Sequence, residues 1–377
     1  INYIHLWIGI PSAVILFVVC LSGSLYVFSE DISRWIDSDK YAVKPGVALP
    51  VEQLKAKVEQ QQKGLIVTAV QIPASADEAW VITVKKPSSK EKGQGFIVNQ
   101  YTGEIKGSSQ TSSFKFFNTV MKLHRWMLMD KEIGKWVTGV AAFMFLLLEI
   151  TGIMLWVPRK IRSWKAWKPG FMVKRKRINL DLHRTVGFYT FIFITIMAMT
   201  GPYLGLDWYK QSVNKALGVK PPAKNAAMPI DTTTRVPLQM LLQKADSIYS
   251  YSAITRINFP ENASGPVTIM KIHKGFSSNS LPDRVLLNAF TGAVIKTERF
   301  AEKKLGEKIA ASMKSIHTGE LFGGFTKIIW FIACLAATSL PVTGVIIWLN
   351  KRSTLKRKAS PYPRSQRRAF RLPATNN

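Results

Sequence analysis

The sequence is short of acid: its 377 residues carry 23 Asp and Glu against 52 Lys and Arg, a formal net charge of +29. It is also poor in cysteine and histidine, with two of the first and five of the second. Two cysteines cannot build a disulfide framework, and the lack of a Cys-x-x-Cys-His motif excludes covalent c-type haem attachment. There is no Walker loop, dinucleotide-binding glycine fingerprint or nucleophile elbow, so ATP hydrolysis, nicotinamide binding and serine hydrolysis by those motifs are not expected.

What the chain does have is hydrophobic length. Apolar residues gather into four runs near Ile4–Phe28, Ile133–Val157, His183–Leu206 and Gly324–Leu349, each able to cross a hydrocarbon core of about 30 Å. The first is too long for a signal-peptide core and is followed by no small-residue cleavage site, so it reads as a retained span. Cys20 and Cys334 fall inside spans and read as small apolar packing residues.

The excess positive charge is concentrated. The stretch 158–182 holds nine Lys/Arg against Asp181 alone, and 350–377 holds nine with no acid. The long segments between spans are far more balanced. The positive-inside rule therefore expects the 158–182 loop and both termini in the cytoplasm and the long segments outside. A basic loop beside a span is a topology determinant, so no nucleic-acid partner is expected.

The chain also repeats itself. With His5 set against His183, Gly9 meets Gly187 and Gly23 meets Gly201 without a gap. Val67–Pro73 then falls on Ile254–Pro260, Asn99–Gly103 on Asn288–Gly292, and His124 on His317. Thr151–Trp156 falls on Thr343–Trp348 with a one-residue slip. The expected fold is an integral-membrane, α-helical four-span bundle made by tandem duplication, with two outer α+β modules. The segments are span 1–28, module 29–132, span 133–157, basic loop 158–182, span 183–206, module 207–323, span 324–349 and basic tail 350–377. Each module should open with a helix (Pro50–Gln61, Pro237–Ser247) and continue in β-rich runs. These are Leu65–Ile72, Ala79–Lys85 and Gly95–Asn99, then Ile254–Phe259, Val267–Ile272 and Arg284–Asn288. In each module a Thr-Gly turn precedes a last strand. Pro158 and Pro341 should end or kink their helices.

Four of the five histidines sit at span edges: His5 and His183 at one side, His124 and His317 at the other. Repeats of equal orientation are related by an axis along the membrane normal, which brings each pair face to face. Two neutral imidazoles on one axis suit six-coordinate haem iron. The plain alternative is that edge histidines are solvated and amphipathic, and that Gly23 and Gly201 only pack helices. On the haem reading, those glycines stand five turns from His5 and His183 and admit a flat macrocycle or a neighbouring backbone. Arg125 and Arg184 are candidates for its carboxylates. Trp7, Trp126, Phe188 and Tyr189 are either haem-edge packing or interfacial anchors. Glu149, the acid deep in a span, is either a relay or haem-tuning group or the partner of Arg184 or Lys160. His273 has no counterpart and is either a surface residue or a substrate contact.

The motifs His5-Leu6-Trp7-Ile8-Gly9, Leu123-His124-Arg125-Trp126, Leu182-His183-Arg184-Thr185-Val186-Gly187 and Ile316-His317-Thr318-Gly319-Glu320 resemble the PepSY-associated transmembrane family. So do the turns Tyr101-Thr102-Gly103-Glu104 and Phe290-Thr291-Gly292-Ala293, which make the outer modules look like PepSY domains. Within that family the likeness is to FoxB-type siderophore-iron reductases of the bacterial inner membrane. The resemblance implies periplasmic modules, two haem b groups, a ferric siderophore as substrate, and an electron donor not identified by the sequence. Leu6 departs from the family's His-Arg-Trp pattern, so no Arg–carboxylate contact is carried over beside His5. Two other functions stand beside this one: a membrane-anchored PepSY-type peptide-binding or regulatory protein, and a siderophore permease, which the lack of buried polar residues disfavours.

Overall fold

A computed structural model describes residues 1–377 except 88, 90, 92, 161–174, 221–234, 251, 261–264, 274–280 and 360–377. Most of the basic stretch 158–182 and of the basic tail lies outside the described residues.

Among the described residues, four helices or helix pairs are long and apolar enough to cross a membrane: Asn2–Tyr26, Lys131–Trp156, Arg177–Gly205 and Gly324–Thr354. The first, α1, is Asn2–Tyr26. At 1.5 Å per residue its 25 residues reach about 37 Å, enough to span. Its flank keeps Val14 72% exposed, as expected of a face turned to lipid, while Leu16 and Cys20 pack inward with Ala141, Phe145, Ile194 and Ala337. Two short helices follow, α2 (Ser29–Ile36) and α3 (Ser38–Tyr41), and then α4 (Val51–Gln61). Strands β1 (Ile66–Gln71), β2 (Trp80–Lys85), β3 (Gln94–Val98) and β4 (Ile105–Ser108) lead to α5 (Ser112–Trp126) and the spanning α6 (Lys131–Lys160).

The second half runs through the same order. It comprises α7 (Arg175–Gly205), α8 (Asp207–Ala216), α9 (Leu238–Ile248), β5 (Ser252–Asn258), β6 (Val267–His273), β7 (Asp283–Leu287), β8 (Val294–Glu298) and α10 (Leu305–Thr318). The last span is two helices, α11 (Gly324–Ala337) and α12 (Ser339–Ala359). Pro341 has no N–H for the Ala337 carbonyl, so the ladder breaks at Thr338. Pro158, expected to end or kink its helix, lies inside α6, which continues to Lys160. The basic stretch is correspondingly shorter as a loop, because α7 begins at Arg175.

The two sets of strands, read in the sequence as separate modules, form one antiparallel sheet in the order β4-β3-β2-β1-β5-β6-β7-β8. The seam is β1 against β5, with Val70 opposite Ile257. Both are fully buried in a core that also takes Leu54 and Val58 of α4 and Leu241 and Ala245 of α9. The Glu52 carboxylate of α4 accepts from the Leu238 N–H, capping α9 across the halves. Pairing β1 with β5 gives each a partner on its open edge, where unpaired N–H and C=O groups would otherwise be left.

A buried carboxylate ties this layer to the helices. Asp37 Oδ2 accepts from Thr111 Oγ1 at 2.7 Å and from the Ser113 hydroxyl, and Lys40 Nζ lies 2.7 Å from its other oxygen. Thr111 also caps α5, accepting from Phe114 N–H at 3.2 Å. Burial raises the Asp37 carboxyl pKa, but the hydrogen bonds from Lys40, Ser113 and Thr111 outweigh it and leave the value below the ordinary one. A depressed folded-state pKa contributes stability above the unfolded value of about 4 and loses it as pH falls through the folded value. Asp37→Asn should therefore cost about 1–3 kcal/mol at neutral pH. Thermal melts of wild type and variant should converge once pH falls below the depressed folded value, and a gap that does not narrow as pH falls would show that the charge is not what Asp37 contributes.

Candidate functional site

His5 of α1 faces His183 of α7, and His124 of α5 faces His317 of α10, so the four edge histidines come together in two pairs. The ring centres of His5 and His183 stand 6.4 Å apart at an interplanar angle of 89°. Those of His124 and His317 stand 6.2 Å apart at 52°. The pairs lie at opposite ends of α1: His5 is in its first turn, while His124 reaches Val19 and Ser22 near its far end. The second pair is on the sheet side.

Each ring is held by the same device. His5 Nδ1 is 2.8 Å from Thr151 Oγ1, His183 Nδ1 is 2.8 Å from Thr343 Oγ1, and His317 Nδ1 is 2.9 Å from Thr200 Oγ1. These hydroxyls already donate to carbonyls one turn back, Leu147, Ser339 and Ile196 respectively. Their oxygens therefore accept, and the histidine Nδ1 carries the proton. His124 Nδ1 meets the Val19 carbonyl at 2.9 Å, which can only accept, with the Ser22 hydroxyl at 3.5 Å. In all four rings Nε2 is left with its lone pair, the state a metal requires.

A glycine follows each of these hydroxyl residues. A Cβ on Gly23 would come 2.9 Å from His124 Cε1; on Gly201, 3.4 Å from His317 Cε1. On Gly152 and Gly344 it would come 3.5 and 3.4 Å from His5 and His183 Cε1. Gly23 and Gly201, read in the sequence as making room for a macrocycle or a backbone, make room for the imidazoles themselves. The pairs Ser22-Gly23, Thr151-Gly152, Thr200-Gly201 and Thr343-Gly344 were legible as repeats, but only the helix contacts assign each to a histidine.

The ring spacing can be compared with a ligand. A metal–imidazole bond of about 2.0 Å and about 1.15 Å from nitrogen to ring centre place two axial imidazoles roughly 6.3 Å apart across one iron. Both pairs have that separation. Around the first pair lies a cavity of about 540 Å³ lined by His5, His183, Gly9, Gly187, Glu149 and Arg184, among others, within the size range of cofactor sites. No cluster of three or more His, Cys, Asp or Glu that could hold a bare metal ion occurs among the described residues. A porphyrin needs only the two axial ligands.

The chain matches the model of the PepSY-associated TM region over residues 3–351. It belongs to that family. No curated protein matches it.

In this PepSY-associated protein the other candidates fall as follows. Arg125 donates to the Leu204 carbonyl at 3.1 Å and lies over the Trp126 ring. Arg184 lines the 540 Å³ cavity. Phe188 stacks on Trp156 at 3.9 Å beside that cavity, whereas Trp7 and Tyr189 are each 61% exposed. Glu149 accepts from Thr195 Oγ1 at 2.8 Å. His273 ends β6, and its side chain lies outside the described residues. Desolvation holds His317 down to about 4, with His124 and Arg125 adding to the effect against the Met197 carbonyl. His124 is lowered for the same first reason. Both rings are therefore neutral at physiological pH and free to bind iron.

Proposed function

We propose that the chain is a di-haem b electron conduit of the bacterial inner membrane that reduces ferric siderophore on the periplasmic side. The observation that carries the reading is the double one of ring spacing and tautomer: 6.4 and 6.2 Å between paired imidazoles, each proton anchored on Nδ1. Haem held there supplies one-electron chemistry. His5 and His183 would hold one group and His124 and His317 the other. The hydroxyls of Thr151, Thr343 and Thr200 and the Val19 carbonyl keep the four rings in register. Arg125 and Arg184 are the cations nearest in sequence to the rings, suited to haem carboxylates.

The orientation follows from charge: basic 158–182 and 350–377 are cytoplasmic, and the fused sheet, read as two PepSY-like modules joined by tandem duplication, is periplasmic. Ferric iron is hard, and its reduction weakens an oxygen-donor chelate. The electron donor is a cytoplasmic or membrane partner drawn to the basic face.

The test is a reduced-minus-oxidised spectrum of the purified protein with iron release from a ferric hydroxamate. Two haems per chain and release on reduction are expected. A colourless protein that still binds peptide ligands would establish the non-redox binding function instead. Thr343→Val keeps both ligands of its site but removes the acceptor for His183 Nδ1–H. Haem affinity there should fall about 10–100-fold, read by haem transfer to an apo-acceptor, and unchanged affinity would remove the hydroxyl from the account.

A further inference from the structure

Glu149 is a carboxyl in the middle of a membrane helix, and its surroundings assign it a place between the two histidine pairs. It lies two residues before Thr151, which holds His5, and its Oε2 accepts from Thr195. Thr195 is five residues before Thr200, which holds His317. The Glu149–Thr195 bond therefore crosses from α6 to α7 at a level between the sites. Glu149 also lines the cavity that contains both rings of the first pair, where its neighbours include Leu16, Phe145 and Leu148.

The titratable and charged groups facing this cavity come from every packed element. They are His5 from α1, His183 and Arg184 from α7, and Lys351 from α12. Cys20 of α1 is close enough to interact electrostatically with Glu149, and Cys334 of α11 donates to the Cys20 carbonyl at 3.2 Å. Asn2, Arg184 and Lys351 mark the cavity's end at the basic, cytoplasmic-reading side.

We propose that Glu149 is a redox-linked proton acceptor: it takes up a proton when an electron arrives at the His5/His183 site and releases it when the electron leaves. The proposal rests on the haem reading of that site. An added electron lowers the local charge by one, and in a low-dielectric cavity a carboxylate nearby is repelled strongly. Proton uptake restores the balance. A haem held there would gain one electron from a donor of the reduced-flavin class, which is left as its semiquinone, while the Glu149 carboxylate gains one proton from bulk hydronium on the basic side, so that one O–H bond forms at Glu149, one breaks in the hydronium and water is left. Thr195 is the positioning residue, donating to the carboxyl in either state.

Potentiometric titration of the haem-loaded protein across a pH series tests this, with a redox-difference infrared spectrum in H₂O and D₂O. One of the two haem midpoints should fall with rising pH at a slope of one proton per electron, and a carboxyl C=O band sensitive to D₂O should appear on reduction. Glu149→Gln should keep both haems by absorbance yet flatten that slope and lose the band. Glu149→Asp should restore both. Thr195→Val, which leaves the carboxyl in place, should shift the pH at which the slope begins. A wild-type protein with two haems and pH-independent midpoints overturns the proton role while leaving the conduit intact. A slope unchanged in Glu149→Gln does the same, and a haem-free protein overturns both.

Discussion

If the chain is the di-haem conduit proposed above, His317→Ala will leave the purified protein with about half its six-coordinate, low-spin haem absorbance, because low-spin b-type iron takes two axial ligands and the sheet-side site keeps one imidazole. His124→Ala will remove the same half. His5→Ala and His183→Ala will remove the other. The double variant His124→Ala/His317→Ala will look like either single variant, since both ligands serve one iron, whereas His5→Ala/His317→Ala will be colourless. This pairwise pattern is the signature of the geometry, in which each ring has a single partner at 6.2 or 6.4 Å. Four equal, additive losses of a quarter each, or a spectrum indifferent to all four, would mean that the pairs do not share a metal. Ferric-chelate reduction should vanish in every single variant, because either site interrupts the path.

Gly134→Ala will be strongly damaging at the corner between α5 and α6. Gly134 sits in the first turn of α6, against the last turn of α5, and a Cβ there would stand 2.3 Å from the Trp126 carbonyl oxygen and 2.6 Å from its Cα. Both opponents are backbone, so no rotamer change relieves the clash. The corner is already tight, with Met127 and Leu128 at φ 53° and 59°, a region unfavourable for residues with side chains. The α5 end must move, and it carries His124 two residues away. We expect a cost of about 3 kcal/mol and selective loss of the sheet-side haem, with the His5/His183 site retained. Gly205→Ala is the control: a Cβ there meets nothing within 4 Å, and by removing glycine from a helix it should be neutral or stabilising by about 0.5–1 kcal/mol. Thermal melts with haem quantification distinguish the two. Equal melting of both variants would refute the steric account of the corner.

The sequence by itself determined the membrane helices, the strands and which histidines pair. Long apolar runs, β-branched alternation and a repeat are local or periodic signals, and the strands and the first two spans formed within a few residues of their expected bounds, whereas α7 begins eight residues before His183 and α12 runs ten beyond Leu349. The tertiary structure alone decided the rest. The β1–β5 seam joins segments nearly half the chain apart, and Val70 and Ile257 read as ordinary strand residues until they face each other. The break at Thr338 depended on which carbonyl Pro341 leaves without a donor. The role of Gly23, Gly152, Gly201 and Gly344 depended on which imidazole lies against each, and the partner of Glu149 proved to be Thr195 on the neighbouring helix. A strand or span is set by its own residues, but a contact is set by two, and where the second one lies is a property of the packed molecule.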